Sequence, residues 1–209
     1  MARRIESLFL PGPAGRLEAL LEEPSAATGA ALLCHPHPQY GGTMHNKVVY
    51  RIARGLRHTG HVVLRFNYRG VNLSEGGYAH GDGELEDARA ALDILRGRYP
   101  GLPLTLAGFS FGARIVLRLA CGAANRETGV SRVIAAGLPT AYAGRSNLEG
   151  CTIPRVFVQS TRDEYGPVEE LRRVVETLPE PKQLILVDAQ DHFFAGSLDK
   201  LEETIAKLG

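Results

Sequence analysis

The 209-residue chain carries almost no net charge: lysine plus arginine number 24 against 23 for aspartate plus glutamate, a balance of +1. Bulk charge therefore recruits neither nucleic acid nor an anionic membrane, and neither is expected as a partner. Long hydrophobic runs are missing as well. The opening "MARRIESLFLPG" has a short apolar run interrupted by Glu6 and Ser7, too short for a signal-peptide core or a bilayer span. Cysteine is scarce, and Cys34, Cys121 and Cys151 are widely spaced and odd in number. A disulfide framework or zinc site is not expected from such a set, and a reducing cytoplasm is the simplest location. Cys34 and Cys121 sit in apolar runs and read as small core residues. Internal repeats, low-complexity segments and interdomain linkers are lacking too, so residues 1–209 read as a single domain.

What is present is an ordinary globular balance, 44 % hydrophobic and 22 % charged, enough to bury a core. "SLFL" and "RLEALLEE" around the turn "PGPAG" predict an antiparallel hairpin at the N-terminus. Strands and helices then alternate. "GAALLC" is a continuous apolar run of the kind buried on both faces, and "HVVLRFNY", "LPLTLAG", "SRVIAAG", "RVFVQS" and "KQLILVD" read as further strands. Between them lie a helix capped by Thr43 and ending near His58, one capped by Asp82, one from Phe111 to Cys121, and one opened by Pro167. A closing helix is marked by Leu198, Leu201, Ile205 and Leu208. The fold class is α/β: a mostly parallel central sheet, an N-terminal antiparallel hairpin, helices on both faces. The stretch between "GLPTAYAG" and "CTIPRV" is short and leaves little room for a lid domain, so none is expected.

Four elements in this order carry chemistry. Gly108-Phe109-Ser110-Phe111-Gly112 stands between a strand and a helix, where a tight turn lifts a serine hydroxyl above the strand ends. Such a turn also sets the Phe111 N–H at a helix start, suited to a developing oxyanion. A serine needs a base, and of seven histidines His192 follows the last strand, in "VDAQDHFFAG". His58 and His61 read as surface residues and His80 as part of a polar loop. The base needs a carboxylate, and Asp163 in "VQSTRDEYGP" gives the chain order Ser, Asp, His. Asp188 reads as a strand end and Asp191 as a residue shaping the histidine turn. In "CHPHPQYGGTMHN", Pro36 and Pro38 lack N–H groups, leaving His37 as the second oxyanion donor. His35 reads as a residue that pins this loop through its backbone. A metal site from His35, His37 and His45 is the weaker reading, with no acidic ligands alongside, so neither metal nor cofactor is expected. Tyr40, Phe109 and Phe193 are the candidate substrate-binding residues, with Tyr78, Tyr142 and Phe194 as further wall candidates.

Together these elements resemble the α/β-hydrolase superfamily over essentially the whole chain. More narrowly, "HPHPQYGGTMHNKVV", "FNYRGVNLSEG", "GFSFGA" and "DEYGP" are similar to the small lidless bacterial α/β-hydrolases related to dienelactone hydrolase. His35-Pro36-His37-Pro38 stands where many relatives have His-Gly-x-Pro, which implies His37 at the oxyanion position. "NYRGVNLSEG" resembles the superfamily loop D-x-R-G-x-G-x-S but has Asn67 for Asp and Asn72 for Gly. Dienelactone hydrolases use a cysteine nucleophile. Ser110 at the matching position implies general ester chemistry on a small-molecule acyl substrate. A thioesterase or small peptidase with the same residues, or a non-catalytic binding module, are the alternatives.

Overall fold

The computed structural model describes residues 4–122, 129–143 and 148–208. Eight strands form one sheet: β1 (Arg4–Gly12), β2 (Gly15–Glu23), β3 (Gly29–Cys34), β4 (His61–Phe66), β5 (Leu104–Phe109), β6 (Val130–Ala136), β7 (Arg155–Ser160) and β8 (Lys182–Val187). Their spatial order is β1-β2-β4-β3-β5-β6-β7-β8. The hairpin β1–β2 is antiparallel, with Gly12 opposite Gly15, and β2 runs antiparallel to β4. Every other pairing is parallel.

The helices are α1 (Lys47–His58), α2 (Asp82–Arg98), α3 (Phe111–Cys121), the single turn α4 (Thr140–Ala143), α5 (Val168–Thr177) and α6 (Leu198–Ala206). Alternation along the strands divides the core into two layers. From β3, Ala30, Leu32 and Cys34 face the layer of α2, α3 and α5, whereas Ala31 and Leu33 face α1 and α6. Both faces are thus covered, which explains why β3 reads as an unbroken apolar run. Gly55 lets α1 and α6 touch, since a Cβ there would meet the Ile205 Cβ at 2.7 Å.

Several local expectations need correction. Asn46, not Thr43, caps α1: its side chain accepts the N–H groups of Val48 and Val49. Asp82 lies one position inside α2, whose cap is Gly81, and Glu84 reaches back to the Ala79 and Gly81 N–H groups. His61 is buried rather than on the surface, in contact with the hydroxyls of Thr59 and Thr105. The cysteine reading also fails, because Cys121 and Cys151 form a disulfide with Cα atoms 5.0 Å apart. It ties the C-terminal end of α3 to the segment before β7. Cys121 is therefore not a free core thiol, and cysteine spacing loses its force as an indicator of a reducing cytoplasm. Cys34 is buried as expected, and burial pushes its thiol up to about 12.

The sheet changes direction at β3, which has β4 on one side and β5 on the other. Crevices in parallel sheets open above the carboxyl ends of strands at such a point. The loops after β3 and β5 carry His37 and Ser110.

Candidate active site

Ser110 leaves β5 with φ 57° and ψ −116°, a region that a residue with a Cβ occupies only under constraint. The constraint is visible. Its N–H donates to the Ala136 carbonyl at 2.9 Å, and its own carbonyl accepts from Ala113 and Arg114 as α3 begins. The two flanking glycines are required by close approach. A Cβ on Gly108 would lie 2.2 Å from the Gly112 carbonyl oxygen, and one on Gly112 would lie 2.3 Å from that of Cys34.

The Ser110 Oγ lies 2.9 Å from His192 Nε2, and His192 Nδ1 lies 2.8 Å from Asp163 Oδ2. A carboxylate only accepts, so the Nδ1 position holds the proton and Nε2 presents its lone pair to the serine hydroxyl. Asp163 is fixed independently, since its Oδ1 accepts the N–H groups of Tyr165 and Gly166 at 2.9 Å each. The His192 loop is shaped by Asp191, which accepts from Phe194 through its carbonyl and from Ala195 through its side chain. Gly137, at φ 55°, makes room for the imidazole: a Cβ there would meet the Phe109 ring at 2.7 Å and His192 Cε1 at 3.2 Å. Sequence reasoning missed one contact here. The Glu164 Oε2 accepts the His192 backbone N–H at 2.9 Å.

His35 is fully buried and pins the loop after β3 as expected. Its Nε2 accepts the Tyr68 N–H at 3.1 Å, so Nδ1 donates to the Pro36 carbonyl at 2.7 Å. Both nitrogens are thereby spent, which leaves no lone pair for a metal. Burial pushes this imidazole down to about 3. His37 caps a short 3-10 turn, Pro38–Tyr40, and its ring lies tilted against those of Tyr40 and Phe111, with centroids 4.6 and 4.9 Å away. Burial lowers its basicity as well. The backbone N–H groups of His37 and Phe111 find no acceptor among the described residues. Gly42 lets the loop fold back, for a Cβ there would sit 2.1 Å from the Pro36 oxygen.

These groups surround a cavity of about 520 Å³ lined by Ser110, His192, His37, Phe111, Tyr40, Tyr142, Tyr165, Phe193, Asn46 and Ala141, with Pro36, Pro139 and two glycines. Tyr40 and Phe193 thus stand where a wall residue should, and Tyr142 with them. Phe109 does not. It is fully buried, its ring packed beneath His192 at 4.9 Å and against Phe194, which is equally buried. Phe109 precedes the elbow within β5, so strand alternation turns it into the α1–α6 layer rather than up into the cavity. Tyr78 backs His37 through its hydroxyl, 3.2 Å from Nε2.

The departures in "NYRGVNLSEG" are accommodated. Asn72 holds φ 49°, a left-handed conformation that asparagine tolerates better than most residues. The Asn67 amide donates to Glu18 Oε2 at 2.7 Å and accepts the Met44 N–H at 2.8 Å. An aspartate at 67 would set two carboxylates against each other. Arg69 clamps the same loop to α2 through Asp87, whose carboxylate is buried.

Fold, elbow and strand-end histidine together define the α/β-hydrolases. Residues 27–206 match the alpha/beta hydrolase domain family, and the chain belongs to it. An alpha-beta serine hydrolase homologue from Coxiella burnetii is 35 % identical, with a TM-score of 0.90 over 97 % of this chain and 96 % of that one. XC6422 from Xanthomonas campestris, an α/β serine hydrolase without a lid, is also 35 % identical, with a TM-score of 0.86 over 98 % and 93 %. The uncharacterized protein RP471 of Rickettsia prowazekii is 33 % identical across 95 % of this chain and 86 % of its own length. The fold is that of a lidless α/β-hydrolase. Among the described residues no helix is long and apolar enough to cross a membrane.

Proposed function

We propose that the protein is a serine hydrolase that cleaves a small carboxylic ester through an acyl-enzyme. The observation that supports this best is the unbroken chain Ser110 Oγ, His192 Nε2 and Nδ1, Asp163 Oδ2, with contacts of 2.9 and 2.8 Å. In this reading His192 removes the Ser110 proton as Oγ attacks the acyl carbon, and Asp163 holds the imidazole in the tautomer that this requires. The oxyanion lies against the N–H groups of His37 and Phe111, fixed before substrate arrives by the loop after β3 and by the start of α3. Donors placed in this way need no reorganisation as charge develops, and each is worth about 100- to 1,000-fold in turnover. The proton on His192 passes to the leaving alkoxide. Water, deprotonated by the same imidazole, then releases the acid.

Hydrolysis of p-nitrophenyl acetate tests the reading. Ser110→Ala and His192→Ala each lower kcat by at least about 10³-fold. Folded variants that keep wild-type turnover would exclude it.

A further inference from the structure

The cavity above Ser110 is walled by flat surfaces. Tyr40, Tyr142, Tyr165 and Phe193 contribute rings. Among the described residues no leucine, isoleucine, valine or methionine lines it, nor any aspartate, glutamate, lysine or arginine. Branched aliphatic side chains adapt to a flexible alkyl chain. Rigid rings favour a planar ligand, which they meet by stacking or edge-on contact. Tyr40, Tyr165 and Phe193 remain 84, 58 and 37 % exposed, so large apolar surface gathers around one mouth.

Two of these rings have a defined relation to the chemistry. Tyr165 and Phe193 both stand edge-on to the His192 imidazole, with centroids 4.9 and 5.3 Å away and planes inclined by 63° and 81°. The Tyr165 N–H is held by Asp163, and the Phe193 ring packs on Phe109 at 5.8 Å. His192 gives its proton to the leaving oxygen, so the alcohol half of an ester must lie beside these rings.

We propose that the site takes esters of alcohols that carry a planar aromatic ring, of the benzyl type, and that Tyr165 and Phe193 select that ring. The proposal rests on the serine-hydrolase reading above. The bond from Ser110 Oγ to the acyl carbon forms and the bond from that carbon to the arylmethyl oxygen breaks. The oxygen leaves with the proton that His192 took from Ser110. Water then cleaves the acyl-enzyme, so the products are an arylmethanol and a carboxylic acid.

Benzyl acetate and cyclohexylmethyl acetate share the acyl group, the primary alcohol and the carbon count, and differ in planarity. The expected kcat/KM favours benzyl acetate by about 10-fold, the scale of two aromatic contacts. Tyr165→Ala and Phe193→Ala each narrow the ratio, the double variant brings it to within about twofold of unity, and Tyr165→Phe keeps it. Equal rates for the two esters, or no turnover of benzyl acetate, in protein whose Ser110 still reacts with a fluorophosphonate would overturn this proposal alone. Absence of both turnover and labelling would overturn the serine-hydrolase reading and this one with it.

Discussion

Glu164 accepts the backbone N–H of His192 at 2.9 Å while the preceding residue, Asp163, holds the imidazole of the same histidine at 2.8 Å. Two consecutive carboxylates on the loop after β7 thus fix one residue of the loop after β8 at both its backbone and its side chain. Neither contact alone sets the position of Nε2. The backbone bond fixes where the side chain starts, and the Asp163 bond fixes how the ring turns.

Glu164→Ala removes the backbone contact, and kcat/KM for an ester substrate falls about 10-fold, the scale of a lost hydrogen bond to a charged group. Glu164→Gln keeps an amide oxygen in the same place and retains most of the activity. An alanine variant with wild-type kinetics would show that Asp163 positions the histidine unaided.

Much of this site is legible in the sequence because backbone geometry dictates it. Gly108 and Gly112 are forced by carbonyl oxygens at 2.2 and 2.3 Å, so an elbow of this kind leaves a fixed residue pattern. Asp163 and His192 follow from chain order and from their positions just beyond strand ends. Glu164 was not legible, because its role depends on two loops meeting in space, and an exposed glutamate there looks like any solvated residue. Phe109 misleads for a related reason: it adjoins Ser110 in sequence, yet strand alternation turns it the other way. Nor does spacing reveal the Cys121–Cys151 bridge, since proximity arises only when β7 is laid beside β6.

Acid should weaken the fold through His35. Its folded value is about 3, lowered by burial from the ordinary 6.5. Between these values the unfolded chain binds a proton that the folded protein refuses, so stability rises with pH across the window and is lost as pH falls through it. His35 contributes a slope approaching about 1.4 kcal/mol per pH unit. His37 and His61, also lowered chiefly by burial, add in the same direction. Urea denaturation at about pH 7 and about pH 5 measures the slope. His35→Gln, which can accept the Tyr68 N–H without titrating, has a shallower slope, and an unchanged slope would refute the assignment.

The Cys121–Cys151 bridge spans a sequence separation of 30. Closing such a loop restricts the unfolded chain and is worth about 2–4 kcal/mol. In a chain of this size dithiothreitol then lowers Tm by roughly 5–15 °C. Cys151→Ser reproduces the fall without reductant, and adding reductant to that variant changes nothing further. Equal Tm values for oxidised and reduced protein would contradict the expected contribution.

The central claim is that Ser110 is the nucleophile that His192 and Asp163 activate, and intact-mass spectrometry after exposure to a fluorophosphonate tests it most directly. The account predicts one adduct per chain, mapped to the peptide containing Ser110, with no adduct on Ser110→Ala. A folded protein that takes up no adduct, or takes it up on another side chain, would contradict it.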